Sequence, residues 1–297
     1  MKSKSTEHNV AEEPSTQLNK RKREHLSISY EQPSIQSFFK SKQPTKNVND
    51  TIEIQINKIK EMRKPDGVAG NAPVDSDGCN YLAEQTKDPT LTEEERHEKE
   101  KTFRYQTLLS LLISSQTKDT TTGVAMKKLQ EHGCTVDHIM NTPIEDIAKL
   151  IKPVTYYTKK AQYIHDTTKI LQQQYKGDIP KTIEGLVKLP GIGQKMAVLC
   201  MNSAWHNPVG VGVDTHVHRI SNRLKWSNTK TPEQTRKVLE EKIPKKYWSE
   251  INELLVGFGQ MTCKLKPKCD SCLLSSEPGI CPYFEEMSIE PEAKRKK

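Results

Sequence analysis

From about Thr92 onward, apolar residues return at three- and four-residue intervals, the period of a helix that buries one face. Residues 92–112 begin charged and then carry Phe103, Leu108, Leu109, Leu111 and Leu112, which predicts a half-buried helix. Ser114-Ser115-Gln116-Thr117 interrupts the pattern, and another helix is expected from near Asp119. Thr142-Pro143-Ile144-Glu145 offers a capping hydroxyl, a proline suited to a first turn and a glutamate that can close a capping box. Ile144, Ile147, Leu150 and Ile151 then repeat at helical spacing. Residues 158–175 predict an amphipathic helix, and Thr231-Pro232-Glu233-Gln234 repeats the capping grammar. A further apolar face runs through Ile251, Leu254, Leu255 and Phe258 and leads into Cys263. No alternating run predicts a sheet, so the expected class is all-α, with short helices and short loops.

Residues 1–90 break this pattern. They are polar, poor in branched apolar residues and without sustained period, so a largely disordered tail is expected. Lys20-Arg21-Lys22-Arg23 in that tail and Lys294-Arg295-Lys296-Lys297 in the basic segment 286–297 fit nuclear import signals. Gln32, Ile35, Phe38 and Phe39 match Q-x-x-[I/L/M]-x-x-F-F, which resembles the box that docks on the sliding clamp of DNA replication. A single 3₁₀-like turn would bring its apolar residues onto one face, because i and i+3 eclipse.

Composition narrows the picture only modestly. About 200 to 210 residues remain for folding, enough for one compact unit or two small ones. A net charge of +8 permits an anionic partner without selecting one. The apolar runs are too short to cross a membrane. Seven cysteines, three of them scattered, with nothing resembling a signal peptide, argue against a disulfide framework. The opening MKSKSTEHNVAEE mixes acids with its basic residues, unlike a mitochondrial presequence.

Three motifs carry candidate chemistry. Leu189-Pro190-Gly191-Ile192-Gly193 reads as a tight turn between two helices, the second running from Gln194 to Ala204. Glycines allow the close approach and unusual dihedrals of such a turn, and N–H groups at a helix start can hold a phosphate without regard to sequence. Ile192 is expected to point inward and lock the helices together.

Lys195 follows in the first turn of that second helix, and Asp214 precedes Thr215-His216-Val217-His218 as a helix N-cap. Each residue alone is ordinary. Together they suit amine attack on a sugar carbon, with a carboxylate to stabilise the positive charge that develops. His216 and His218 stand two apart and do not share a helix face, so no metal pair is expected. Trp205, Trp226 and Trp248 read as packing residues.

Cys263, Cys269, Cys272 and Cys281 follow C-x5-C-x2-C-x8-C. Four thiols this close suit zinc or iron–sulfur, and spacing alone does not choose. Lys264, Lys266 and Lys268 fill the first gap, where they would face phosphate.

The combination of LPGIGQK, VDTHVHR and a four-cysteine C-terminal segment resembles the endonuclease III family of base-excision repair enzymes, in its eukaryotic branch. The resemblance spans roughly residues 95–285. It implies two helical domains flanking a DNA-binding cleft. One is a six-helix barrel over residues 120–220 that carries the helix-hairpin-helix. The other is a discontinuous iron–sulfur cluster domain of residues 91–119 plus 221–285. It implies Lys195 and Asp214 as catalytic residues, Leu189 to Gly193 as the DNA-binding hairpin, and Gln116 as the side chain pushed into the base stack when the damaged nucleotide flips out. It implies a [4Fe–4S] cluster on Cys263, Cys269, Cys272 and Cys281. Their spacing departs from the family's common C-x6-C-x2-C-x5-C.

The activity implied is that of a bifunctional glycosylase acting on oxidised pyrimidines in duplex DNA, such as thymine glycol and 5-hydroxycytosine, followed by strand cleavage through β-elimination. A monomer in the nucleus is expected, with mitochondrial entry left open. Two alternatives share the fold: a monofunctional mismatch glycosylase, which Lys195 speaks against, and a non-catalytic DNA-binding protein, which Lys195 and Asp214 together speak against.

Overall fold

The computed structural model describes residues 48–79, 81–83 and 90–289. The basic runs at Lys20–Arg23 and Lys294–Lys297 and the box of Gln32, Ile35, Phe38 and Phe39 lie outside the described residues. Within the described residues the regular structure is helical throughout. In chain order the helices are α1 (Val48–Met62), α2 (Pro73–Asp77), α3 (Glu93–Ser114), α4 (Asp119–His132), α5 (Val136–Met140), α6 (Ile144–Ile151) and α7 (Tyr157–Gln174). There follow α8 (Ile183–Leu186), α9 (Gln194–Ala204), α10 (Thr215–Arg223), α11 (Pro232–Lys242), α12 (Ile251–Met261) and α13 (Pro282–Ile289), with 3₁₀ turns at Lys245–Tyr247 and Cys269–Ser271.

Local chemistry explains several boundaries. Thr92 starts α3 and Thr231 starts α11, each in a reciprocal capping box, with Glu95 and Gln234 respectively. Pro232 stands in the first turn of α11, where its missing N–H costs nothing. At α6 the expected cap is corrected. Pro143 holds the N-cap position without a side-chain bond. Thr142 instead turns its hydroxyl back to donate to the His138 carbonyl at 2.9 Å, closing the end of the preceding helix.

Two large apolar cores organise the described chain, beside a small third cluster of Ala72, Val74 and Val256. The first collects Tyr105, Leu108, Leu112, Met126, Ile147, Ile164, Leu186, Leu189 and Ile192, drawn from α3 through α9. The second joins Ile52, Ile56 and Ile59 of α1 to Val213, Val217, Ile220, Leu239, Leu255, Phe258, Leu274 and Ile280. In the first, α3 packs on α9; in the second, α12 packs on both α10 and α1.

This changes the expected organisation in two ways. The folded region starts by Val48 rather than near Thr92, because Ile52, Ile56, Ile59 and Met62 each bury at 2% exposure or less. Burial of each such side chain contributes roughly 1.5–3 kcal/mol. Helix α3, assigned from sequence to the cysteine-bearing domain, gives its apolar face to the first core instead, and α1 fills the place expected of it. The expected fold class is corrected on one further point. The all-helical architecture is present, but the segment 263–281 is not arranged as a metal-cluster loop, since no group of His, Cys, Asp or Glu among the described residues could hold a metal ion.

Candidate active site

The hairpin is set by burial on one side and backbone stereochemistry on the other. Leu189 and Ile192 enter the first core, and the Ile192 N–H donates to the Leu189 carbonyl at 3.2 Å, closing the turn. Gly191 has φ +79°, and a Cβ there would stand 2.5 Å from the Tyr163 ring, so glycine is required. Gly193 differs. Its backbone is extended (φ −97°, ψ 172°), and a Cβ would meet nothing within 4 Å. The expected need for glycine on dihedral grounds therefore holds at Gly191 and not at Gly193. Gly193 caps α9 without a side chain. The first-turn N–H groups of α9 have no partner inside the helix, and the space beside Gly193, next to half-buried Pro190, is open.

Lys195, exposed, is the second residue of α9. Asp214 is the N-cap of α10, as expected, and its Oδ1 accepts the Val217 N–H at 2.8 Å. The two charges share a neighbourhood. His216 feels both Asp214 and Lys195, together with Arg219 and Asp119, while burial pushes its pKa down. Asp119, at the start of α4, is half-buried, and its Oδ2 accepts a hydrogen bond from Gln260 Nε2 at 2.7 Å. Burial raises the Asp119 carboxyl, the Asp214 charge adds to that, and the Gln260 bond opposes it. Cys79 is a further neighbour: burial pushes its thiol up, while a hydrogen bond with Ser114 and the Lys195 charge pull it back.

Lys195, Asp214, Asp119 and His216 thus form one electrostatic group drawn from three helices. Sequence reading marked Asp119 only as the start of a helix and gave no role to Gln260 or Cys79. The contact between Asp119 and Gln260 spans 141 positions, and no local pattern marks it.

Gln116 is exposed and has φ +52°, left-handed backbone that a glutamine adopts at a cost. Lys264, Lys266 and Lys268 are exposed. Their loop is tied to α10, since Arg219 donates to the Cys263 carbonyl at 3.0 Å and Arg223 to the Leu265 carbonyl at 2.9 Å. The helix capped by Asp214 therefore also supports the lysine loop.

The four C-terminal cysteines line one shallow cavity with Arg223, Phe258, Leu274 and Tyr283. Three of them, Cys263, Cys272 and Cys281, pack against the second core as half-buried apolar groups. Burial raises the thiols of Cys269 and Cys281 and pushes Cys272 up to about 11. Metal ligation needs thiolates that converge, and no such group of three or more side chains occurs among the described residues. The expected [4Fe–4S] cofactor is corrected on that finding. The segment is held by apolar burial, with Leu274 and Ile280 at 1% and 2% exposure.

The sequence profile of the HhH-GPD superfamily base excision DNA repair protein matches residues 109–245. The chain is 47% identical over 231 residues to Endonuclease III-like protein 1 of Gallus gallus, covering 77% of this chain and 76% of that one. The chain belongs to the endonuclease III family. It is 46% identical over 230 residues to the Endonuclease III homolog of Schizosaccharomyces pombe, covering 76% of this chain and 61% of that protein. Its fold is similar to that in "Structure of a non-covalent Endonuclease III-DNA Complex", with a TM-score of 0.65 and 25% identity over 82% of this chain and all of the other. The stretch matched by the superfamily profile contains Gln116, Asp119, the hairpin, Lys195 and Asp214, and stops before Cys263. Among the described residues no helix is long and apolar enough to cross a membrane.

Proposed function

We propose that this endonuclease III family protein excises oxidised pyrimidines from duplex DNA and cleaves the strand at the abasic site, with Lys195 as nucleophile and Asp214 beside it. The observation that carries the reading is the shared electrostatic neighbourhood of Lys195 and Asp214, one at the mouth of the hairpin and one capping the next helix. The related structure is, in its own description, an endonuclease III–DNA complex.

The chemistry follows from these positions. The Lys195 Nζ lone pair forms a bond to C1′ of the damaged nucleotide, and the C1′–N bond breaks. The base leaves with that electron pair and takes up a proton. The Asp214 carboxylate stabilises the positive charge on the sugar as the base departs, and the helix N-terminus that it caps suits an anion. Opening of the sugar ring leaves an imine between Lys195 and C1′, with O4′ taking a proton. Removal of a C2′ proton then expels the 3′ phosphate, and water releases the enzyme by hydrolysing the imine. The N–H groups at the start of α9 hold a backbone phosphate. The exposed Lys264, Lys266 and Lys268 add sequence-independent attraction. Gln116 fills the space that the extruded nucleotide vacates.

We propose further that the protein acts as a nuclear monomer, imported through its basic runs, with mitochondria as a second destination for a tagged chain to test. The box of Gln32, Ile35, Phe38 and Phe39 docks it on the replication sliding clamp. Sequence alone supports these points.

Borohydride trapping on duplex DNA holding one thymine glycol tests the central reading. Wild type is expected to give a covalent adduct that Lys195→Gln lacks. Excision without any adduct would favour a monofunctional glycosylase, and tight binding with neither adduct nor excision would favour a non-catalytic DNA-binding protein.

A further inference from the structure

Lys160 sits in α7 at 5% exposure. An ammonium there is costly unless its protons are hydrogen-bonded. All three are. Nζ donates to the Ile113 carbonyl at 2.7 Å, to the Ser115 carbonyl at 2.6 Å and to Thr117 Oγ1 at 3.1 Å. Burial alone is what shifts its pKa, down to about 8, and no carboxylate among the described residues contributes. The chain therefore holds a buried cation whose described partners all belong to one short segment.

That segment is the end of α3 and the turn after it. Ser115 and Thr117 flank Gln116, whose φ of +52° is unfavourable for a side chain with a Cβ. The turn has two internal ties, Thr117 N–H to the Ser114 carbonyl at 3.0 Å and Thr117 Oγ1 to the Ser115 carbonyl at 3.3 Å. Three further bonds come from outside, from a helix more than forty positions downstream. Carbonyls at a helix C-terminus attract a cation, so one ammonium both caps α3 and pins both sides of Gln116.

We propose that Lys160 is the positioning residue of the Gln116 turn, holding that side chain in its left-handed, outward conformation before DNA arrives, so that insertion into the base stack needs no rearrangement of the loop. This rests on the reading of Gln116 as the inserting residue. Preorganisation of this kind acts on the step that extrudes the nucleotide, not on the Lys195 chemistry that follows. A helix cap with no further role would lower stability and leave extrusion by the folded protein intact.

The test uses the full-length protein and two duplexes. One carries a thymine glycol flanked by 2-aminopurine, whose fluorescence rises on unstacking; the other carries a preformed abasic site, where no base has to be extruded. Lys160→Met, which keeps length and removes all donors, is expected to slow single-turnover excision about 10- to 100-fold and to abolish the fluorescence rise. Its cleavage of the abasic duplex should stay within about threefold of wild type. Lys160→Gln, which keeps two amide donors, should fall between. Gln116→Ala should lose excision and fluorescence, and adding Lys160→Met to it should cause no further loss.

Equal loss of both activities in Lys160→Met and Lys160→Gln overturns the proposal, since Lys160 is then a residue of general structure. So does a wild-type fluorescence rise in Lys160→Met, or a double variant whose losses multiply. The two readings separate cleanly. Impaired Gln116→Ala beside normal Lys160→Met sinks the positioning role alone, whereas a Gln116→Ala variant like wild type sinks the insertion role and the positioning role with it.

Discussion

The hairpin at residues 189–195 and the cysteine segment at residues 263–281 were the two most distinctive motifs of the chain, and they behave differently in the folded protein. The hairpin is specified by forces internal to the polypeptide. Leu189 and Ile192 are buried, Gly191 occupies a dihedral that other residues resist, and Tyr163 leaves no room for a Cβ there. The cysteine segment is specified by Leu274 and Ile280, which enter the second core, while its thiols line a cavity without forming a group that could hold a metal ion. A motif defined by packing and backbone stereochemistry converts directly from sequence to geometry. A motif defined by ligand spacing states which atoms are available, not where they stand.

The largest expected effect lies on the hairpin side. Lys195→Gln should lower strand cleavage by at least about a thousandfold, measured in single turnover, with DNA affinity nearly unchanged. On the cysteine side, Leu274→Ala or Ile280→Ala should cost about 2–5 kcal/mol of stability in denaturant titration. The protein that remains folded should still be trapped through Lys195. Loss of trapping in the folded fraction would show that the two regions are not independent.

Within the hairpin the glycines should part company. Gly191→Ala forces a side chain into left-handed backbone and into the Tyr163 ring, and should destabilise by about 1–3 kcal/mol. Gly193→Ala should leave the melting temperature unchanged and weaken duplex binding by about three- to tenfold, because its Cβ projects into the space a phosphate would occupy. Equal loss of stability in both variants would contradict the difference between the two glycines.

The last effect is a pH dependence. Burial holds the Lys160 ammonium at a pKa of about 8 against 10.5 when unfolded. Below about 8 both states are protonated; between the two values only the unfolded chain keeps the proton. Stability contributed by this group therefore rises with pH across that window, and the rise should be absent when Lys160→Met is titrated beside wild type.

Much of this was legible in the sequence. Thr231 and Asp214 cap helices where their side chains predicted, and α9 runs from Gln194 to Ala204 as expected. Thr142 misled because the same hydroxyl that can cap one helix can close the one before it. Helix α1 was missed although Ile52, Ile56 and Ile59 stand at helical spacing, because the polar residues around them pulled the whole of 1–90 toward disorder. The site around Lys195 was half visible. Asp214 has a local signature as a cap, whereas Asp119, Gln260 and Lys160 acquire their roles from contacts across many positions. Such contacts leave no periodicity to read.

The most direct test is to digest the borohydride-trapped adduct and locate the sugar remnant by mass spectrometry. The account predicts a single modified peptide with the remnant on Lys195 Nζ, formed in wild type and retained in Lys160→Met on an abasic duplex. A remnant on any other lysine, or on the N-terminal amine, would contradict it.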